Sequence, residues 1–155
     1  MGKVYGRPED KDAADWKARQ YQKERVARDA PGWKADMGAK SENPTIRKQA
    51  ARNRNLYKGT AAKLLLDDED FNVRMEMALN VDSCTVEAAL KAIRQGLINP
   101  RTPDDTLIAY RCLRHSGLSE TKLRQILDYT QDEAAKSIIA KILDWRQEQG
   151  TNNEA

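Results

Sequence analysis

The sequence predicts an all-α chain: a short stack of antiparallel helical hairpins preceded by a basic helical N-terminal arm. Three observations point there. Helix-starting and helix-stopping residues alternate at short intervals from Asn43 onward. A motif of four positions recurs at a fixed offset. Aliphatic residues concentrate where this punctuation lies: residues 1–55 hold only Val4, Val26 and Ile46 of the Ile, Leu and Val class, whereas from Leu56 such residues appear every few positions.

The arm, residues 1–42, is predicted to contain one helix from about Glu9 to Asp29. Residues 11–28 are rich in good helix formers, Pro8 precedes them and Pro31-Gly32 stops them. Trp16, Gln20, Lys23 and Ala27 share one face, so the apolar stripe is thin and the helix is marginal without a surface to dock on. Pro31 to Ser41, with two glycines, reads as a linker.

The helical body is predicted over residues 43–149. Asn43 is an N-cap with Pro44 at the first helical position, and that helix runs to about Asn53. Gly59-Thr60 starts the next, through Leu66. The acidic run Asp67-Asp68-Glu69-Asp70 is a turn, and a helix follows to Leu79. Ser83 or Thr85 caps a helix that ends near Gly96. Thr102 caps another, with Pro103 in first place and Asp104 and Asp105 where carboxylates suit the positive end of the helix dipole. It ends near His115, with Gly117 just beyond. Ser119 opens the next helix, and Thr130-Gln131-Asp132-Glu133 reads as a capping box for the last, to about Gln149. Residues 150–155 read as a flexible tail. Short helices joined by short loops are the pattern of antiparallel hairpins.

Internal repetition sharpens the expectation. Ile46-Arg47-x-x-x-Ala51-x-Asn53 recurs 27 residues later as Val73-Arg74-x-x-x-Ala78-x-Asn80. Each copy is followed by a second apolar helix, around Leu64-Leu65 and around Leu90 to Ile93. The pattern resembles the short-period HEAT-like and leucine-rich-repeat-variant families of α-solenoids, whose repeats carry a similar β-branched-Arg…Ala…Asn signature. The resemblance covers about residues 43–95 and weakens toward 149. There Ala109 replaces the arginine and His115 stands in the asparagine position. The iron–sulfur cysteine cluster beside some variant repeats has no counterpart. Structural roles are expected at each repeated position. Ile46 and Val73 bury, Ala51 and Ala78 permit close helix approach, and Asn53 and Asn80 suit a left-handed helix end. Arg74, four residues after Asp70, is placed to pair with it.

The chemistry points to binding rather than catalysis. The chain lacks Gly-x-Gly-x-x-Gly, a phosphate loop, Cys-x-x-Cys and His-Glu-x-x-His, so no enzyme, cofactor or metal is expected. The run Asp67 to Asp70 offers oxygen ligands but lacks the spacing and glycine of a calcium-binding loop, and reads as a solvated helix-initiating turn. Cys84 and Cys112 read as buried, reduced thiols of a cytoplasmic protein, and His115, the single histidine, as a cap or surface residue. No run of about 18 apolar residues suggests a membrane span.

Charge is uneven. Residues 1–60 carry 15 Lys/Arg against 8 Asp/Glu, a net +7, and residues 61–155 carry 12 against 16, a net −4. The leading expectation is a protein–protein adaptor or assembly factor that uses the repeat face and the arm, with Trp16, Tyr21 and Trp33 as anchors. The same aromatics are suited to fold back over the open end of the body, or to dock in trans in an oligomer. The alternative is nucleic-acid binding through Lys17, Arg19, Lys23, Arg25, Lys48, Arg52, Arg54 and Lys58, with cations meeting phosphates and bases stacking on Trp or Tyr. The segment Arg47 to Lys58 carries cations and no acid, and Lys48, Arg52 and Arg54 fall near one side of their helix. Size, basic arm and short repeat body together resemble a bacteriophage accessory or virion protein.

Overall fold

The computed structural model describes Trp16, Lys17 and residues 30–154; the predicted arm helix therefore lies largely outside the described residues. Among these, eight α-helices and no strand are found: α1 (Gly32–Ala39), α2 (Pro44–Ala51), α3 (Lys58–Asp67), α4 (Phe71–Leu79), α5 (Val86–Ile98), α6 (Pro103–Cys112), α7 (Glu120–Tyr129) and α8 (Glu133–Glu154). The fold is all-helical, as the sequence predicts.

Local chemistry sets most helix starts. The Asn43 side chain accepts the Thr45 N–H at 2.9 Å, and Pro44 follows in first place. Asp70 accepts from the Asn72 and Val73 N–H groups, Thr85 from Ala88 and Ser119 from Lys122. Each cap satisfies a backbone donor that the helix leaves unpaired. Two expected caps differ. Thr102 makes no side-chain cap bond to α6. At α8 the predicted capping box is displaced: Asp132 accepts the Ala135 N–H at 2.9 Å, while Thr130 braces Asp132 by accepting its N–H at 3.1 Å.

Two further expectations are corrected. The segment taken as a linker, residues 31–41, contains α1, which buries Ala35 and Ala39. Alanines alone face the core there, so the apolar signal that marks a helix in sequence is missing. The segment taken as a tail continues α8 to Glu154.

Consecutive helices pack in pairs, α1 on α2, α3 on α4, α5 on α6 and α7 on α8. Alternate helices also touch: α3 packs on α1 and α5, and α4 on α2 and α6. One continuous apolar core runs from Ala35 through Leu65, Val73, Met77 and Ile93 to Ile139. Each fully buried aliphatic side chain contributes roughly 1.5–3 kcal/mol relative to exposure. Ile46, Val73, Ala51 and Ala78 are all buried in it, as their motif positions imply. The α5–α6 approach is so close that a Cβ at Gly96 would stand 2.2 Å from the Asp105 carbonyl oxygen.

The polar positions of the motif act over longer range than their sequence spacing suggests. Asn80 is buried and donates to the carbonyl oxygens of Ala51 and Asn53, each at 2.9 Å. Asn53 is buried and donates to the Ala30 carbonyl at 2.7 Å. Asn80 does not take the left-handed conformation expected of it, since its φ is −87°. His115, expected as a cap or surface residue, is buried. Its Nδ1 accepts the Gly117 N–H at 2.9 Å, which leaves Nε2–H to donate to the Cys84 carbonyl at 2.6 Å. These three side chains hold the loops that precede α3, α1 and α5 respectively.

The arginines form a second set. Arg47 reaches the Asp68 carboxylate through Nε (2.8 Å) and Nη2 (3.2 Å), and its Nη1 donates to the carbonyls of Ser41 and Glu42. Arg74 pairs with Asp105 at 2.5 Å and donates through Nε to the Leu65 carbonyl, rather than pairing with Asp70, which caps α4. Asp105 is buried and also accepts from the backbone and guanidinium of Arg101.

Candidate binding surface

The Asn53 bond to Ala30 fixes the chain one residue before Pro31, and so places the start of α1. With Ala35 and Ala39 facing inward, α1 turns its large apolar residues outward. Trp33 is 55% exposed and Met37 is 65% exposed. They lie four residues apart, on one face with Asp36 and Lys40. The Lys34 ammonium sits over the Trp33 ring, 5.2 Å from its centre. Across from α1, Tyr57 stands exposed just before α3. Its ring packs against Gly32, where a Cβ would meet the ring edge at 2.6 Å.

Between α1 and α3 lies a cleft of about 560 Å³, lined by Asp36, Ala39, Lys40, Tyr57, Gly59, Thr60, Lys63 and Leu64. The Asp36 carboxylate accepts from the Thr60 hydroxyl and pairs with Lys40 at 3.0 Å. The Thr60 bond, then Lys40, holds its carboxyl below the usual range. A second cleft of the same volume separates α3 from α5, lined by Leu66, Asp67, Lys91, Arg94, Gln95, Ile98, Asn99 and Arg101. Its arginines are engaged: Arg101 with Asp105 and the Leu66 carbonyl, Arg94 over the Tyr129 ring.

Of the expected anchors, Trp16 and Trp33 are both exposed, while Tyr21 lies outside the described residues. Of the expected phosphate contacts, Arg19, Lys23 and Arg25 also lie outside them, and Lys17, Arg54 and Lys58 are exposed. Arg52 is held by Glu76 at 2.8 Å, and Lys48 is half-buried. The Arg52 bond, with the nearby charges of Lys48 and Arg111, keeps the Glu76 carboxyl below its ordinary range. Arg47, in the same acid-free segment, is buried against Asp68.

The acidic turn is not simply solvated. Asp68 pairs with Arg47 and accepts the Asp70 N–H, and Asp70 caps α4, while Glu69 faces water. Among the described residues no group of three or more His, Cys, Asp or Glu is arranged to hold a metal ion. Cys84 and Cys112 are buried free thiols. No helix among the described residues is long and apolar enough to cross a membrane.

Sequence reasoning missed Met37, Tyr57 and Lys63. The pair Trp33 and Met37, one helical turn apart, was the available signal; it is hidden by the glycines on either side. The chain matches no protein family, no characterised protein and no solved structure with which it was compared.

Proposed function

We propose that this chain is a non-catalytic protein-binding module, an adaptor or assembly factor built on a short HEAT-like stack of antiparallel helical hairpins. Support for the stack comes from the pairing of consecutive helices, the contacts between alternate helices, and side chains that bond from one motif copy to the one before. Short repeats of this kind present extended faces to partners.

The observation that carries the protein-binding reading is the outward orientation of Trp33 and Met37 on α1. A helix that turns alanines inward and its largest apolar residues to water leaves apolar area for a partner to cover. Trp16, also exposed, is the second anchor.

The nucleic-acid alternative is weakened by the same geometry. Arg47 and Arg52, from the segment that carries cations without acid, each hold an internal carboxylate. Arg47 spends Nε, Nη1 and Nη2 on Asp68 and two backbone carbonyls, and the charge of Arg52 is offset by Glu76.

The test is a selection of random displayed peptides against the full chain, repeated with Trp33→Ala. Peptides that bind the wild-type chain and are lost with Trp33→Ala are the expected result. A selection that returns no binder contradicts the reading.

A further inference from the structure

We propose that the cleft between α1 and α3, together with the outward face of α1, docks an acidic segment of a protein partner that carries two large apolar side chains one helical turn apart. The proposal rests on the protein-binding reading and names the partner chemistry and the place.

Charge complementarity argues for the acidic partner. Lys40 and Lys63 line the cleft, Lys58 stands between its lining residues Tyr57 and Gly59, and the one carboxylate among the lining residues, Asp36, accepts from Thr60 and pairs with Lys40. A rim of lysines around an apolar surface steers an acidic chain toward it and disfavours a basic one. Shape argues for the apolar pair. Trp33 and Met37 form a short ridge, and Ala39 and Leu64 give the adjoining cleft an apolar floor. An amphipathic segment reads such a surface through residues spaced three or four apart.

One observation favours a peptide over a single-stranded nucleic acid. Lys34 covers a face of the Trp33 ring, the surface on which a base would stack.

Gly59 supplies the probe. It lies in the first turn of α3 and lines the cleft, and a Cβ there meets nothing within 4 Å. Gly59→Leu therefore fills the cleft without disturbing the core. Lys40→Glu with Lys63→Glu reverses the charge of the rim and leaves its volume nearly unchanged.

The experiment takes peptides selected on the full chain, reads their composition, and measures their affinity for these variants by fluorescence anisotropy. Expected are net-acidic peptides with two large apolar residues three or four apart. Gly59→Leu and the double charge reversal should each weaken binding by roughly tenfold or more, and Trp145→Ala, on α8, should leave it within about twofold. Neutral or basic peptides, or binding indifferent to Gly59→Leu, overturn the groove while leaving protein binding in place. Absence of any binder overturns both. Binding of single-stranded DNA or RNA that Gly59→Leu abolishes assigns the groove to nucleic acid and overturns the proposal.

Discussion

The Asn80 carboxamide nitrogen lies 2.9 Å from the backbone carbonyl oxygen of Asn53, so the two residues that end the repeated motif are joined directly. Asn53 in turn holds Ala30, and His115 holds Cys84. Removal of Asn80 takes the side-chain donor from the Ala51 carbonyl, while the Asn53 carbonyl keeps the Leu56 N–H and the Ser83 hydroxyl; removal of His115 takes the donor from the Cys84 carbonyl. Asn80→Ala should cost about 2–3 kcal/mol, and His115→Ala a similar amount, because the Cys84 carbonyl and the Gly117 N–H both lose a partner. Urea unfolding midpoints measure this. Losses below about 0.5 kcal/mol in both variants would show that these side-chain bonds add little to the stability of the fold.

Asp105 links stability to pH. Burial opposes its charge, but hydrogen bonds from the Arg101 side chain and backbone and from Arg74 outweigh it and hold the carboxyl well below the usual range. A depressed folded-state value means that the stabilisation is present at neutral pH. It is lost as the pH falls below about 4, the unfolded value, toward the folded one. Asp105→Asn should therefore cost about 3 kcal/mol at pH 7 and flatten the acid limb of the stability curve. Thermal unfolding followed from neutral to acid pH checks both parts; an unchanged acid slope in the variant would remove Asp105 as the cause.

Much of this architecture was legible in the sequence, and the exceptions share a physical cause. Caps at Asn43, Asp70, Thr85 and Ser119 act within three residues, so their chemistry is written locally. The motif positions Ile46, Val73, Ala51 and Ala78 could be assigned to the core because helical periodicity records burial. The Arg74–Asp105 pair and the Asn80–Asn53 bond span 31 and 27 residues, and no local pattern records them. Helix α1 escaped notice because its inward residues are alanines, and Met37 was missed with it although Trp33 was not. Tyr57 and Lys63 join Trp33 and Met37 only once α3 is laid beside α1.

Packing gives a contrast between two glycines. At Gly96 a Cβ would stand 2.2 Å from the Asp105 carbonyl oxygen and 2.5 Å from the Ala109 Cβ, whereas Gly59 is open. Gly96→Ala should cost about 3 kcal/mol, as should Ala51→Leu or Ala78→Leu within a range of about 1–3 kcal/mol, because the helices must separate. Gly59→Ala should instead stabilise by roughly 0.5–1 kcal/mol, since alanine favours the helix and restricts the unfolded chain. Thermal melts of the four variants decide this; destabilisation by Gly59→Ala would contradict the open cleft wall.

The two thiols report on unfolding. Burial pushes Cys84 up to about 11, and burial, with Cys84 as neighbour, pushes Cys112 up as well. Both should react slowly with a thiol reagent near pH 8 in the native chain, and in urea at a rate that follows the unfolding curve. Immediate labelling of either without denaturant would place it at the surface.

The claim that the lysine-rimmed aromatic surface serves a protein partner is tested most directly against its rival. Labelled single- and double-stranded DNA and RNA are titrated with the full chain at about 50 and 200 mM salt, and binding is followed by fluorescence anisotropy. The expected result is no saturable binding at either salt, with acidic peptides still bound under the same conditions. Tight binding at low salt that falls steeply at the higher salt, and is lost with Trp33→Ala, would assign this surface to nucleic acid and contradict the proposed function.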